Sequence, residues 1–483
     1  MNISELYTLY KQCPVVSTDS RTCPPGALFF ALKGEFSDGN AYAEKALQAG
    51  CSYAVIDDAS VRTGERMIRV DNVLETLQQL ARLHRETLGV TVIGITGTNG
   101  KTTTKELTAK VLSKKYSTLF TEGNLNNHIG VPLTLLRLTG RHEIAVVEMG
   151  ANHPGEIRDL AEIARPDYGL VTNVGYAHLE GFGSFEGVVR TKGELYDFIR
   201  KNGGKVFIDR NNTYLMEMAA GIEKITYGKL QDETDAEDGL YPSVTGEVIH
   251  NHPFLSFRWQ RHIDKYDAET EGTVNPSNVA ETHLAGDYNL YNALAAIATG
   301  IYFGIPPEQI NEAISTYVPA NNRSQLKKTA SNTLIVDAYN ANPSSMKAAL
   351  ENFTSSRNNP AVAPAETGME TGTETKRQEN IPGTTSYDRT CASLPKAVIL
   401  GDMLELGRES HRLHEEIISL VNSCGFDKVL LCGERFSAAG QRYSCFKTVD
   451  ELNGFLKANP MKGFEILIKG SHGIHLEKII ENL

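Results

Sequence analysis

The sequence predicts an α/β protein of roughly three domains, for three reasons. Its 483 residues are more than a single domain usually holds. Short apolar runs alternate with helical patterns along most of the chain, which is typical of mostly parallel sheets covered by helices on both faces. The pattern changes near two positions, so we expect an N-terminal domain at 1–88, a central domain at 89–321 and a C-terminal domain at 322–483.

The N-terminal domain is expected to be small and mixed. Its short segments "GALFFALKG", "SYAVIDD" and "ERMIRV" precede one longer helical pattern, "VLETLQQLARLHRETL". The central domain begins with the strand "VTVIGIT", and "EIAVVEMG", "YGLVTNVG" and "GKVFIDR" continue the alternation of strands and helices. Alternating apolar residues in "FLSFRW" predict a small antiparallel addition to an otherwise parallel sheet.

The C-terminal domain repeats the same alternation. The strands "TLIVDAY", "KAVILGDM", "KVLLCGE" and "FEILIKG" predict a doubly wound, Rossmann-like sheet. Residues 354–394 interrupt it with a segment that is rich in Thr, Glu, Pro and Gly and nearly lacks aromatic residues. Such a segment buries too little apolar area to offset its chain entropy, so we expect a disordered surface insertion.

Composition narrows the class of protein. The net charge of −11 argues against a nucleic-acid-binding coat. The seven cysteines are scattered and form no C-x-x-C pair, which favours reduced thiols and a cytoplasmic protein. The apolar run at 290–305 is short and interrupted, so it predicts a buried helix and no membrane span. We expect a monomer.

A phosphate-binding loop is predicted at "GITGTNGKTTTKE", residues 94–106. Its end matches the Walker A pattern, but Ile95 stands where the first glycine of that pattern belongs. A strand, a glycine turn and a helix start still bring backbone N–H groups together on a phosphate. Lys101 would bridge the outer phosphates and Thr102 would hold Mg²⁺, although a plain turn with a surface lysine has the same pattern. The predicted nucleotide contacts are Gly97, Thr98, Asn99, Gly100, Lys101, Thr102 and Thr103.

Two polar residues follow neighbouring strands of the same predicted sheet. Glu148 ends "IAVVEMG", and His178 comes after the next strand, in "TNVGYAHLEGFGS". Ligand-facing groups collect at the carboxyl ends of parallel strands, and a carboxylate suits Mg²⁺. Each residue alone is more often solvated, but together with the loop they predict a shared metal site.

Asn289 and Asn292 lie together at the first turn of the helix "NLYNALAAIATGI". One interpretation is that they cap that helix. The other is that the two amides recognise the edge of a nucleotide base. The pattern does not decide between these interpretations.

In combination, several motifs resemble the Mur ligase family, ATP-dependent enzymes that build the peptide of bacterial cell-wall precursors. The shortened loop T-G-T-N-G-K-T has that family's form. The resemblance covers nearly the whole chain apart from 354–394 and parts of 229–280. Its other motifs are "GNLNNHIGVPLTLLR", "VVEMGANHPGEI", "TNVGYAHLEGFGS" and "DAYNANPSSMKAAL".

The resemblance implies an activity and its partners. Within the family, "DAYNANPSS" points to the members that join D-Ala-D-Ala to the terminal carboxylate of a UDP-N-acetylmuramoyl-tripeptide. Such a ligase uses ATP and two Mg²⁺ ions and passes through an acyl phosphate. The N-terminal domain would bind the UDP part of the substrate and the central domain the ATP. Whether the third residue of the tripeptide is diaminopimelate or lysine stays open.

The resemblance also implies roles around the nucleotide. Thr102 and Glu148 would hold one Mg²⁺, and His178 the second together with Lys192, carbamylated to give an anionic oxygen ligand. An unmodified, solvated helix lysine is the alternative for Lys192. The remaining implied contacts are Asn289 and Asn292 to adenine, Arg323 to the γ-phosphate and Asp337 to the ribose.

Substrate contacts are implied at both ends of the chain. They are Asp19, Ser20 and Arg21 for the uridine diphosphate, and Asn340, Asn342 and Lys469 for the peptide substrates. Asn342 followed by Pro343 also has the pattern of a helix N-cap, and both roles can hold. Two positions depart from the family's pattern: Tyr288 replaces a His beside the adenine helix, and His472 an Arg after Lys469.

Other functions share parts of this pattern. They are another ligase of the superfamily, either an amino-acid-adding Mur enzyme or a folylpolyglutamate synthase, and a non-catalytic nucleotide switch. The Asp-Ser-Arg segment argues against the folate enzyme, and Asn-Ala-Asn-Pro argues against the amino-acid-adding one. A switch would hydrolyse ATP slowly, whatever acceptor is present.

Overall fold

The structure, a computed structural model, describes residues 1–35, 37–61, 64–229, 243–262, 278–319, 323–355 and 394–483. These form two compact units. The first comprises Met1–Ile249, Leu255–Pro319 and Glu405–Glu409; the second comprises His250–Phe254, Ala320–Leu404 and Ser410–Leu483. The predicted insertion lies outside the described residues except at its ends, where Thr354 and Ser355 still belong to a helix.

A four-stranded parallel sheet in the order β1-β2-β3-β4 lies in the N-terminal part of the first unit. A disulfide joins Cys23 to Cys51, which differs from the expectation of reduced thiols throughout the chain. The elements are α1 Ile3–Gln12, β1 Val16–Ser17, β2 Leu28–Phe30, α2 Ala43–Gln48, β3 Tyr53–Ile56, β4 Met67–Arg69 and α3 Val73–Leu88.

Helix α3 begins and ends at residues suited to those places. The Asn72 side chain accepts the Glu75 N–H at the N-terminus, and Gly89 takes the left-handed conformation at the C-terminus, with φ 64°. Leu77 and Leu80 on its buried face share one hydrophobic core with Val147 of the central sheet. The core is therefore continuous across residue 88, where the sequence changes pattern.

The larger sheet of the first unit has nine strands among the described residues, in the order β13-β12-β11-β10-β9-β8-β5-β7-β6. Its strands are β5 Thr91–Thr96, β6 Thr118–Phe120, β7 Ile144–Glu148, β8 Tyr168–Val171, β9 Lys205–Asp209, β10 Glu223–Lys229, β11 Val244–His250, β12 Ser256–Arg261 and β13 Asn278–Glu281. Its helices are α4 Lys101–Leu112, α5 Gly130–Leu135, α6 Glu156–Ala164, α7 Leu179–Phe182, α8 Phe185–Asn202, α9 Thr213–Met218, α10 Asn289–Tyr302 and α11 Pro307–Ser315.

The strand pairing confirms the predicted mixture. Strands β6, β7, β5, β8, β9, β10 and β11 pair in parallel, whereas β12 pairs antiparallel with β13. Helix α10 is buried along most of its length because it packs on α4 and the sheet, as its apolar sequence predicts. No helix in the described part of the chain is both long enough and apolar enough to span a membrane.

The second unit contains a six-stranded sheet in the order β14-β15-β19-β16-β17-β18. All neighbouring strands run parallel except β14, which is antiparallel to β15. The predicted α/β fold is confirmed, and the described residues form three sheets. The elements are β14 Gln325–Lys328, β15 Thr333–Asp337, α12 Pro343–Ser355, β16 Lys396–Gly401, α13 Ser410–Cys424, β17 Lys428–Cys432, α14 Glu434–Ala439, β18 Ser444–Phe446, α15 Val449–Ala458 and β19 Glu465–Lys469.

Candidate functional site

The loop between β5 and α4 needs glycine at two positions. Gly97 and Gly100 have φ angles of 141° and 77°, which side chains of L-residues rarely adopt. A Cβ at Gly97 would lie 2.0 Å from Thr172 Oγ1, and one at Gly100 would lie 2.4 Å from Asn292 Oδ1. Glycine at these two positions therefore allows the loop to pass closely between the end of β8 and helix α10.

The residues after β8 hold this loop from the side. Asn173 accepts the Thr98 N–H with its carbonyl at 2.9 Å and the Asn99 N–H with its side chain at 3.0 Å. The Thr172 hydroxyl donates to the Asn99 carbonyl at 2.6 Å. Two amides predicted to bind phosphate thus have partners within the protein. The amides of Thr102 and Thr103 lie in the first turn of α4, where a helix provides no intrahelical acceptor.

The Lys101 ammonium lies against the loop itself. Its Nζ donates to the carbonyls of Gly97 at 2.8 Å and Thr98 at 3.1 Å. Lys101 is half-buried, so its charge stays at the start of α4, where the helix dipole also favours an anion. The loop therefore presents positive charge at the place where the sequence predicts the phosphates.

Glu148 ends β7 and is almost completely buried. Its Oε1 accepts the Thr102 hydroxyl at 3.2 Å and the Asn126 side-chain amide at 2.8 Å. Its Oε2 is buried without a hydrogen-bond partner, and the Lys105 Nζ lies 3.7 Å away. The predicted proximity of Thr102 and Glu148 is thus present.

The oxygen atoms at this place fit a magnesium ion. Glu148 accepts the Thr102 hydroxyl with Oε1, and its Oε2 is buried without a hydrogen-bond donor. Mg²⁺ prefers carboxylate and hydroxyl oxygens as ligands. Among the described residues, no three His, Cys, Asp or Glu side chains are grouped so that they could hold a metal ion. The protein donors at Thr102 and Glu148 would therefore leave most coordination positions to water and phosphate oxygens.

His178 has a strained backbone and a different partner from the one predicted. Its φ of 50° is left-handed, and its Nδ1 contacts the Glu405 carboxylate, which belongs to the same compact unit. This hydrogen bond lowers the pKa of Glu405. The ring also packs edge-on against Phe182. A metal site shared with Glu148 stays a prediction.

Lys192 lies inside the first unit, on helix α8, and only 2% of it is exposed. Its Nζ approaches the Ala151 carbonyl at 3.5 Å and lies 5.4 Å from the centre of the Phe182 ring. Burial, and then the positive charge of Lys101, hold the pKa of Lys192 well below its usual value. The alternative of a solvated helix lysine is therefore wrong.

Asn289 and Asn292 do not cap helix α10, since the N-cap position is Tyr288 and no side-chain capping bond is present there. Asn289 donates to the Ala285 carbonyl at 2.7 Å and accepts from Asn292 at 2.9 Å. The Asn292 Oδ1 in turn accepts the Thr104 hydroxyl at 3.1 Å. The capping interpretation is wrong, and the pair connects α10 with the start of α4.

The carboxyl end of the second unit's sheet gathers another group of predicted residues. The Lys469 Nζ donates to Asp337 Oδ2 at 2.5 Å and approaches the Asn340 carbonyl at 3.4 Å. The Arg323 guanidinium lies 3.8 Å from the centre of the Tyr339 ring, and its Nε is buried without a hydrogen-bond partner. Lys469 is thus used within the unit, and its role toward a dipeptide stays a prediction.

The other predicted substrate residues differ in exposure. Asn342 is buried and accepts the Ser345 N–H at 2.9 Å, so the predicted N-cap of α12 is confirmed, whereas Asn340 is exposed. Arg21 is largely exposed and donates three hydrogen bonds to the Asp19 carboxylate, one from its backbone N–H at 2.9 Å and two from its side chain at 3.0 and 2.8 Å. That hydrogen bonding lowers the pKa of Asp19 to about 2.

Three further residues singled out in the sequence are Ser20, His472 and Tyr288. Ser20 lies half-buried in the turn between Asp19 and Arg21. His472, which departs from the family's sequence pattern, has its ring centre 5.7 Å from the centre of the Tyr339 ring. Tyr288, the other residue that departs from that pattern, lies close to Gly286, which has a left-handed φ of 96°. A Cβ at Gly286 would lie 2.4 Å from Cε1 of the Tyr288 ring.

Sequence reasoning missed three residues of this site. Asn126 orients Glu148, Asn173 fixes the loop, and Lys105 lies beneath the carboxylate. Asn126 and Asn173 both fall in motifs that carry the family resemblance, so that signal was present for them. Lys105 gave none beyond its position one helical turn after Lys101.

Comparison with protein families identifies two segments. Residues 95–300 match the family model described as Mur ligase middle domain, and residues 14–85 match the model described as Mur ligase family, catalytic domain. Together they span more than half of the chain.

Full-length relatives are similar along nearly the whole chain. The UDP-N-acetylmuramoyl-tripeptide--D-alanyl-D-alanine ligase of Bacillus subtilis (strain 168) is 34% identical, and the alignment covers 97% of this chain and 92% of the relative. The enzyme of the same name from Escherichia coli (strain K12) is 31% identical over 97% of this chain and 93% of the relative.

Solved structures agree with the fold. MurF from Acinetobacter baumannii superposes with a TM-score of 0.79 and 27% identity, covering 100% of this chain and 98% of that one. The MurF ligase of Thermotoga maritima, solved in complex with ADP, has a TM-score of 0.76 at 22% identity and covers 98% and 97% of the two chains. The second likeness concerns the fold alone.

Proposed function

The chain belongs to the Mur ligase family, and from that premise we propose that it joins D-Ala-D-Ala to a UDP-N-acetylmuramoyl-tripeptide. It is an ATP-dependent ligase of peptidoglycan precursor synthesis. The observation that carries this proposal is the 34% identity over 97% of the chain to a ligase named for that reaction. The contact of Thr102 with Glu148 at the nucleotide loop supports it.

ATP would be held by the start of α4. The first-turn amides and the Lys101 ammonium provide donors for the β- and γ-phosphates. Lys101 would exchange its loop carbonyls for phosphate oxygens, because the charged partner makes the stronger hydrogen bond. A Mg²⁺ ion at Thr102 and Glu148 would supply charge neutralisation for the phosphates. Adenine would lie beside Asn289 and Asn292.

The proposed chemistry has two steps. The terminal carboxylate of the tripeptide attacks the γ-phosphorus, ADP leaves, and an acyl phosphate forms. The amine of D-Ala-D-Ala then attacks the acyl carbon, phosphate leaves with the bonding electrons, and the amine loses a proton. The first step brings two anions together, so the positive charges of Lys101 and Arg323 lower its barrier.

A second cation site is proposed at His178 and Lys192. An ammonium repels a cation, but Lys192 is buried and its pKa is well below the usual value, which favours the neutral amine. A neutral amine can add carbon dioxide and lose one proton to give an anionic carbamate, whose oxygens would bind a cation. His178 would contribute its ring nitrogen after exchanging its contact with Glu405.

The substrates are assigned to separate parts of the chain. Asp19, Ser20 and Arg21 in the proposed domain 1–88 bind the uridine diphosphate, where Arg21 is exposed enough to reach it. In the proposed domain 322–483, Asp337 contacts the ribose and Asn340, Asn342 and Lys469 the peptide substrates. ATP lies in the proposed domain 89–321. The enzyme acts as a monomer in the cytoplasm.

The test measures phosphate release and product mass with purified enzyme, ATP, Mg²⁺ and UDP-N-acetylmuramoyl-tripeptide, with and without D-Ala-D-Ala. Supplying diaminopimelate-containing and lysine-containing tripeptides separately identifies the third residue. We expect phosphate release to require D-Ala-D-Ala and to accompany a product heavier by the dipeptide minus water. Slow ATP hydrolysis that no acceptor changes would instead support a nucleotide switch.

A further inference from the structure

Lys105 is a buried cation that the proposed reaction does not use. It lies on α4, its side chain is 0% exposed, and its Nζ has no hydrogen-bond partner among the described residues. The nearest carboxylate oxygens are Glu106 Oε1 at 3.6 Å and Glu148 Oε2 at 3.7 Å. Both distances exceed the 2.7–3.2 Å of an ordinary hydrogen bond. Burial of an ammonium in this way requires a compensating negative charge.

Of the two carboxylates, Glu148 is the one with a buried oxygen that has no hydrogen-bond partner. Glu106 is partly exposed and already accepts the Tyr317 hydroxyl at 2.6 Å through its Oε2. Glu148 is 1% exposed, and the Oε2 that faces Lys105 has no hydrogen-bond partner. The two buried, unsatisfied groups therefore attract each other by charge without forming a hydrogen bond.

We propose that Lys105 and a divalent cation are alternative counter-ions of Glu148, so that Lys105 opposes metal binding until a nucleotide is present. This inference rests on the proposed function, since it concerns the same nucleotide site. In the metal-free protein, Lys105 compensates the buried carboxylate. A divalent cation at Glu148 meets the repulsion of a fixed positive charge a few ångströms away, which is strong in a poorly solvated site.

ATP removes that obstacle because its phosphates bring negative charge to the same place. The cation then enters together with the nucleotide, and the site does not fill with metal alone. Lys105 is accordingly a positioning residue that acts through Glu148. Because the opposition is electrostatic, loss of the Lys105 charge should strengthen the binding of a cation to Glu148.

The test measures Mn²⁺ binding to the nucleotide-free full-length protein, from the electron paramagnetic resonance signal of free Mn²⁺. Lys105→Met is expected to bind Mn²⁺ on the order of tenfold more tightly than the wild type. Lys105→Arg keeps the charge and is expected to bind like the wild type. Unchanged or weaker binding by Lys105→Met would overturn the inference.

Two further variants keep the result interpretable. Lys105→Gln removes the charge with a polar side chain, and it replaces Lys105→Met if that variant does not fold. Glu148→Gln should bind Mn²⁺ weakly, and Lys105→Met/Glu148→Gln should bind no better than Glu148→Gln. A gain that persists without Glu148 would also overturn the inference. A failed Mn²⁺ result with normal wild-type ligation leaves the proposed function standing, whereas absent wild-type ligation contradicts that function.

Discussion

Glu148 of the first unit and Asp337 of the second unit have similar sequence surroundings but are paired differently. Each ends a parallel strand, and each has a buried lysine nearby. Lys469 is hydrogen-bonded to Asp337 at 2.5 Å, whereas Lys105 stays 3.7 Å from Glu148 and forms no hydrogen bond. Strand-end position alone therefore does not tell which carboxylate has an oxygen available for a ligand.

The difference in hydrogen bonding indicates different physical roles for the Asp337 and Glu148 carboxylates. The Asp337 carboxylate also accepts the Ser324 N–H at 3.3 Å, so its two oxygens are both engaged. The Glu148 carboxylate is held through one oxygen by Thr102 and Asn126, and the other oxygen has no donor. We therefore expect substitution of Glu148 to act on cation binding and turnover, and substitution of Asp337 to act first on stability.

The largest expected effect is that of Lys101→Ala, in the nucleotide loop beside Glu148. Loss of the ammonium should lower the ligation rate at least about 100-fold, because it removes a charge from the developing phosphoryl transition state. Binding of the UDP substrate by residues 1–88 should stay nearly unchanged, as measured by calorimetry. Near-normal turnover would show that the loop does not hold the phosphates.

Glu148→Gln is expected to lower turnover on the order of 100-fold and to weaken Mn²⁺ binding measured with ADP present. The amide keeps the size and an oxygen for Thr102, but it leaves the Lys105 ammonium buried beside a neutral group, so the melting temperature of the metal-free protein should also fall. A large loss of stability with unchanged Mn²⁺ affinity would instead make Glu148 a structural residue, like Asp337.

Asp337→Asn is expected to cost about 3 kcal/mol of unfolding free energy, because it leaves the Lys469 ammonium buried beside a neutral group. Denaturant unfolding measures this change. In the matched control Asp337→Asn/Lys469→Met, both charges are absent, and much of the stability should return. If the double variant is as unstable as the single one, the ion pair is not the cause.

Asp209, at the end of β9, is a third carboxylate at a strand end. Burial raises the pKa of Asp209 from 3.8 to about 6. The folded state thus holds its proton more tightly than the unfolded state, so this group lowers stability as the pH rises from about 4 to about 6. Asp209→Asn should add about 3 kcal/mol of unfolding free energy well above pH 6 and nothing near pH 3. A gain that is equal at both pH values would refute this assignment.

Much of the fold follows from local pattern. Period-two alternation predicts β12 as an antiparallel strand, and the uninterrupted apolar run predicts the burial of α10. The loop is predictable because β5, the glycines and the start of α4 follow one another directly in sequence, and Glu148 is predictable because it ends an apolar strand. Asn342 is predictable as a cap because Pro343 follows it.

The parts that could not be predicted depend on distant packing. Lys105 has the sequence context of a surface residue in "TTTKELTAK", and it is buried where α4 packs on β7 and β6, beside Glu148 and Phe120. Asn289 and Asn292 resemble a helix cap until α10 is brought against the loop. Lys469 resembles a free cation until β19 pairs with β15 and places it beside Asp337. None of these contacts has a local signature.

Crystallography can show whether Glu148 binds the cation that accompanies the nucleotide. Crystals grown with Mn²⁺ and a non-hydrolysable ATP analogue would locate the metal by anomalous scattering. We expect an anomalous peak beside Thr102 Oγ1 and Glu148, with the phosphates at the start of α4 and no peak at Asp337. A bound nucleotide with no metal near Glu148, or a metal at Asp337, would contradict it.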